Sequence, residues 1–174
     1  MVEEFAVEAA RADELDIVLG ILRSASSGRV PPGAARWGSE FPDIVADIPS
    51  GAVYLGRLAG RPVGTFVLRW SDEPAWGPDD GAAGYVHRLA TRPEAGGRGL
   101  GSQLLDAAAG LVREHGRHWL RLDCDRGNGP LRAYYEAQGF RHAGDGDVPR
   151  IQRSGFRAAS RYQRRVGGPA AATG

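Results

Sequence analysis

The segment from Glu94 to Leu105, EAGGRGLGSQLL, places glycine at four of the six positions from Gly96 to Gly101 and then turns apolar at helical spacing. Glycine is the poorest helix former after proline. A run of it against a helix start therefore marks a backbone that must adopt unusual dihedrals or come very close to a partner. The bare amides of a helix N-terminus make an anion the natural partner. A strand-like run, YVHRLAT (Tyr85–Thr91), precedes the glycines, and a second, HWLRLDC (His118–Cys124), follows the helix. The spacing predicts that helix over about Gly99 to His115, with Leu100, Leu104, Leu105, Ala108 and Leu111 turned inward. Any fold for this chain must accommodate a strand–loop–helix–strand unit built around an anion site.

The rest of the chain supplies the sheet that such a unit needs. Residues 4–9 alternate like a first strand, and RADELDIVLGILRSAS carries Leu15, Val18, Leu19 and Leu22 on one helical face. GRVPPGAARWGSEFP reads as a loop with a short helix, and DIVADI as one or two helical turns stopped by Pro49 and Gly51. Two β-rich runs flank Ala59-Gly60-Arg61-Pro62, which is hairpin punctuation. The polar stretch SDEPAWGPDDGAAG is expected to be a solvated acidic loop. HWLRLDC is expected to be buried on both faces. GPLRAYYEAQGF reads as a compact helix with Pro130 in its first turn and Gly139 as its stop. FRHAG and FRAASRYQRRV are strand-like, and GGPAAATG is expected to be a disordered tail. One domain over residues 1–166 with a tail at 167–174 is the expected organisation. Because a hairpin and a strand–helix–strand unit share one chain, the fold class is α/β (α+β) with a mixed sheet.

Composition narrows the function. The balance of 22 basic against 21 acidic side chains leaves +1, so no global field draws nucleic acid or anionic lipid. One cysteine, Cys124, makes no internal disulfide and points to a reducing compartment. Four scattered histidines and that cysteine lack zinc-site spacing, so no metal is expected. The acidic N-terminal stretch lacks a signal-peptide pattern, and no apolar run reaches membrane-spanning length. The expected location is cytoplasmic.

Three readings of the glycine segment compete. A P-loop needs Gly-Lys-Ser/Thr, and the chain has no lysine. A Rossmann fingerprint needs a third glycine where Ser102 stands and a tight turn where RPEAG intervenes, although Asp123 falls at a suitable distance. The third reading takes the neighbours into account. Gly96-Gly97-Arg98-Gly99-Leu100-Gly101, then LRLDC, then Asn128 through Leu131, Tyr134 and Tyr135 to Gly139-Phe140, resembles the GNAT superfamily of acetyl-CoA-dependent N-acetyltransferases. The resemblance is strong from about Tyr85 to His142. Gly96 departs from the usual Arg or Gln, and Leu131 from the usual Ala.

That resemblance implies a GNAT fold with a mixed, mostly antiparallel sheet of six to seven strands flanked by helices on both faces. It implies acetyl-CoA as cosubstrate, held by Gly96, Gly97, Arg98, Gly99, Leu100, Gly101 and Ser102 at the diphosphate. Leu89, Ala90 and Thr91 would line the pantetheine, the backbones of Leu89 and Thr91 bonding its amides, and Asn128 and Tyr135 would also contact the coenzyme. Tyr135 would protonate the departing thiolate, its alternative being ring packing, the role expected of Tyr134. Asp123 is the first candidate base, with pairing to Arg121 or Arg126 as the alternative reading. His87 is the second. Asn128 has the alternative of capping the next helix. Cys124 is not favoured as a covalent nucleophile. The acceptor would be a small-molecule or peptide amine. Trp37, Phe41, Trp70, Trp76 and Tyr85 are candidate lining, and Asp72, Glu73, Asp79 and Asp80 a candidate lure for a cation. Family members often form homodimers, which carries over by analogy alone. A coenzyme-binding sensor without turnover is the rival function.

Overall fold

The computed structural model describes residues 3–26, 41–147 and 158–167. Strands Val53–Leu58 (β2) and Arg61–Arg69 (β3) form the predicted hairpin. Its turn is only Ala59-Gly60, both at positive φ (48° and 77°), the twist-matched two-residue geometry. Arg61 and Pro62 are already strand. Phe5–Ala9 (β1) pairs antiparallel with β2. Further along come Ala83–Thr91 (β4), Trp119–Asp125 (β5), Arg141–Asp147 (β6) and Ala158–Arg165 (β7). The hydrogen-bonded order is β1-β2-β3-β4-β5-β7-β6. β4 and β5 run parallel, and the β1–β2, β2–β3, β5–β7 and β6–β7 pairs are antiparallel. This is the expected mixed, mostly antiparallel sheet.

The chain forms two compact units, Met1–Leu68 with Arg88–Ala107, and Arg69–His87 with Ala108–Gly174. In the first, helices Leu15–Ser26 (α1) and Pro42–Asp47 (α2) pack Val18, Leu19, Ile21, Leu22 and Ile44 onto Val53, Leu55 and Val67. A 3-10 turn, Ala12–Glu14, leads into α1 and buries Glu14 against Arg57. The opposite side of the hairpin is shaped by absence of side chains. Gly56 and Gly64 are cross-strand partners, and a Cβ on either would lie 2.7 or 2.6 Å from a methyl of Leu104. Leu104 belongs to the predicted helix, Leu100–Glu114 (α4), and seats its first turns in that glycine-floored hollow. Gly64→Ala also brings its methyl to 3.2 Å from the Ala90 carbonyl. It is expected to cost about 1–3 kcal/mol by overpacking, read by urea unfolding.

In the second unit the remaining residues of α4 bury Ala108 and Val112, whereas Leu111 is only half-buried. Helix Gly129–Ala137 (α5) carries Pro130 in its first turn and ends before Gly139 at φ 83°. β5 is not buried on both faces. Leu120, Leu122 and Cys124 are buried, while Trp119, Arg121 and Asp123 alternate with them half-buried. The reason lies in the stretch expected to be a solvated loop. It contains a short helix, Glu73–Trp76 (α3), and its polar side chains lie against the Arg121 side of the strand. The short helix expected before Pro42, Trp37 within it, and the tail from residue 168 onward lie outside the described residues.

Candidate active site

The anion-directed loop lies in the first unit. After β4 a 3-10 turn, Pro93–Ala95, donates Gly96 N–H to the Pro93 carbonyl, 3.0 Å. Gly97 and Gly99 then take φ of 75° and 67°, the left-handed region that suits glycine. Among the described residues the first main-chain bond of α4 runs from Gln103 N–H to Gly99 O, 3.1 Å. The amides of Gly97 to Ser102 thus make no bond to a backbone carbonyl among the described residues, and the positive end of a fifteen-residue helix lies behind them. Virtual Cβ atoms at Gly97 and Gly99 meet nothing within 4 Å, so open space fronts the loop. The Arg98 guanidinium is turned to Glu3 at 2.6 Å. A diphosphate fits this donor set. Leu89, Ala90 and Thr91 stand half-buried at the end of β4. They follow Arg88, whose φ of 53° breaks the strand's regularity and whose guanidinium is clamped on Asp43 at 3.0 and 3.2 Å.

The candidate acid–base groups lie in the second unit. The parallel β4–β5 ladder has the pairs Ala83↔Trp119, Gly84↔Leu120 and Tyr85↔Arg121, and both strands run on beyond it. Two residues past the last pair, His87 and Asp123 project from their strands on the side that Tyr85 and Arg121 take. Asp72 joins them from the segment before α3, and one ligand-type atom from each of the three lies within 4.8 Å of the others. His87 Nε2 is 3.5 Å from Asp72 Oδ2. Burial, and then the Asp72 charge, push Asp123 up to about 6. The alternative pairing of Asp123 with its arginines does not occur. Arg121 contacts Asp80, Gln163 and Tyr85, and Arg126 contacts Asp145.

Tyr135, on α5, is 7% exposed and rings Tyr134, Phe140 and Tyr162 at 5.6, 5.8 and 6.3 Å. Burial raises its phenol well above the ordinary value, with smaller contributions from Cys124, Tyr134 and Asp123. The expectation that Tyr134 would take the core is reversed: Tyr134 is half-buried and Tyr135 packs inside. Asn128 Oδ1 accepts from Leu131 N–H at 3.1 Å and so caps α5. Cys124 is buried, and burial followed by the Asp123 charge lifts its thiol to about 11, so it carries little thiolate at neutral pH.

Of the aromatic residues considered as acceptor lining, the four that are described pack against other side chains. Trp70 stacks on His115 at 3.8 Å, Phe41 lies under Arg88, and Trp76 and Tyr85 both face Arg121. In the acidic loop Glu73 is exposed, and the other three acids are held or buried. Asp79 is held by Arg117 and Asp80 by Arg121, while Asp72 is buried. Asp72 is the functional candidate that sequence reasoning misplaced. In sequence it is one of four nearby acids in a polar loop, and only the turn into α3 separates it from the others.

Comparison with known proteins agrees with this geometry. The model of the acetyltransferase (GNAT) family matches residues 22–140, and the chain belongs to that family. It is an acyltransferase of the N-acetyltransferase type. It is 26% identical over 144 residues to YesJ, an uncharacterized N-acetyltransferase of Bacillus subtilis, across 76% of this chain and 79% of that one. Among solved structures, a GNAT-family acetyltransferase of Listeria monocytogenes superposes with a TM-score of 0.73 at 22% identity, over 94% of this chain and 95% of that one. The PaiA N-acetyltransferase of Thermoplasma acidophilum, solved with coenzyme A, does so with 0.69 at 14% identity, over 93% and 99%. Among the described residues no helix is long and apolar enough to cross a membrane.

Proposed function

We propose that this chain, as a single acetyltransferase domain over residues 1–166, moves the acetyl group of acetyl-CoA to a primary amine by direct attack. The observation that carries the reading is the row of amides from Gly97 to Ser102, unused by the backbone and ahead of α4. They would grip the coenzyme diphosphate. The main chain of Leu89 and Thr91 would bond the pantetheine amides along β4. Asn128 would contribute its amide nitrogen, since its oxygen caps α5. The thioester supplies the acetyl group: its C–S bond breaks as the C–N bond to the amine forms.

The protein's own groups handle the two protons. A free alkylammonium has a pKa near about 10, so the acceptor must shed a proton before it attacks. His87 and Asp123 lie together where β4 and β5 lose their ladder and would receive it. Tyr135 keeps its proton at neutral pH because burial disfavours the phenolate, and it would hand that proton to the leaving thiolate.

The test is an amine panel, small molecules and peptides, with acetyl-CoA, read by thiol release and by mass shift of the acceptor. Turnover on at least one amine is the expected result. Coenzyme binding without thiol release on every amine would mean a sensor instead.

A pH prediction follows from Asp123. Its folded pKa, about 6, lies above the ordinary 3.8, so the fold favours the protonated carboxyl. That contribution to stability is full below about pH 4 and is lost as pH rises through about 6. The neutral Asp123→Asn is therefore expected to be more stable than the parent at pH 7.5, by up to about 3 kcal/mol in denaturant titration. The parent's kcat/KM should show an acid limb near pH 6 set by Asp123. The substitution should displace that limb.

A further inference from the structure

Trp76 and Arg161 carry two hydrogen-bond donors that the fold leaves unused. Indole Nε1 of Trp76 and Nε of Arg161 are both shut off from solvent, and neither has a hydrogen-bond partner among the described residues. A buried donor without an acceptor is costly. Two of them within one cation–π contact, 5.8 Å from guanidinium carbon to ring centroid, call for a group that would take both.

The surroundings say what kind of group that is. The Arg161 guanidinium is met by two main-chain oxygens, those of Ala75 and Asp145, each at a long 3.3 Å. The Asp145 carboxylate is taken by His142, Ser160 and Arg126, and among the described residues Arg161 makes no ion pair. Arg121, which packs on the same indole, is by contrast neutralised by Asp80. The half-buried charge of Arg161 is thus uncompensated. Its place on the sheet ties it to the acetyl transfer. Arg161 on β7 is the register partner of Asp123 on β5, and such directly opposed residues share a face with Cβ atoms about 4.5–5.5 Å apart. The four-residue α3 carries the indole over that face.

We propose that the acceptor is an amino acid: its amine faces Asp123 while its carboxylate takes the unused hydrogens of Trp76 and Arg161. This rests on the reading of the chain as an amine acetyltransferase, which leaves the acceptor undefined. Guanidinium and indole N–H groups donate and do not accept, so they select an oxyanion over a second ammonium. The short span from Arg161 to Asp123 selects a carboxylate close to the amine. Two long bonds and a one-turn helix let both side chains turn to the oxyanion as it enters. The carboxylate neither gains nor loses a proton in the transfer.

The test uses matched acceptors and a reporter that needs no turnover. In indole-labelled protein the Trp76 N–H signal is the one of four that Trp76→Phe removes. With coenzyme A present, at least one L-amino acid should move that signal, and the amine left by removing its carboxylate should not. Arg161→Gln should weaken the amino-acid binding so read by about tenfold or more. If no amino acid moves the signal, or the decarboxylated amines move it equally, the proposal is overturned whether or not any amine is acetylated. In kinetics with acetyl-CoA, kcat/KM should favour the amino acid over its decarboxylated amine by about tenfold or more, and Arg161→Gln and Trp76→Phe should each shrink that ratio. Equal losses on both members of a pair would show that the two residues serve the fold alone, and would overturn it. Amino-acid amides, which keep an oxygen without its charge, should rank with the amines, and amides as good as the acids would overturn the carboxylate. Arg161→Lys, which keeps a charge but not the planar donors, serves the same comparison if the glutamine variant is poorly folded. Should no amine be acetylated, the acetyltransferase reading fails while the indole signal still decides the amino-acid site.

Discussion

Gly99→Val is expected to weaken coenzyme A binding at least 100-fold, about 3 kcal/mol, while the protein stays folded. Gly99 sits at φ 67°, a region that disfavours side chains in general and β-branched ones most. The new side chain would not collide with the protein, since nothing lies within 4 Å of a Cβ there. The damage is therefore of two kinds. A valine that keeps the native dihedrals projects into the space before the amides, where the diphosphate would lie. One that relaxes its dihedrals swings the N–H groups of Gly97 to Ser102 out of convergence. Gly116, just past the other end of α4, supplies the control. It has φ 75° and equally open surroundings. Gly116→Val should show a similar loss of stability and an unchanged coenzyme affinity. Calorimetric titration with coenzyme A measures both variants, and near-parental affinity in Gly99→Val would remove the glycine loop from the binding account.

Tyr135→Phe is expected to lower kcat by about 100-fold, within the range for loss of a general acid, while coenzyme affinity is kept. The substitution removes one oxygen from a ring that Tyr134, Phe140 and Tyr162 surround. Packing is preserved, and stability should change by less than about 1 kcal/mol, because a buried hydroxyl and its desolvation leave together. The raised phenol also implies a pH signature. Tyr135 remains an acid through alkaline assay conditions, so it should contribute no falling limb to kcat below about pH 10. A phenylalanine variant with parental turnover would mean that the thiolate takes its proton from water or another residue.

Much of the scaffold was legible from periodicity alone. The β2–β3 hairpin, α1, α4 and α5 are where apolar spacing and Gly/Pro punctuation put them. Such signals are local: each residue's face and each turn's dihedrals follow from near neighbours. The errors have a common origin. HWLRLDC looked buried twice over because burial was inferred from its own residues, and what covers each face is set by distant chain. Tyr134 and Tyr135 are adjacent and chemically identical, so only the packing of α5 on the sheet decides which ring goes inside. Asp72 shows the same limit most clearly. Its neighbours in sequence are solvated acids paired with Arg117 and Arg121, whereas its neighbours in space are His87 and Asp123.

By itself the sequence determined the glycine loop ahead of a helix and the enzyme family, because such a loop is written into consecutive residues. It also named Tyr135, Asp123 and His87 as groups worth testing. Only the tertiary structure decided their company: a carboxylate raised by burial, an imidazole facing a third acid, a tyrosine held neutral in the core. Those properties depend on dielectric and on charges brought close by folding, and both are set by residues far apart along the chain.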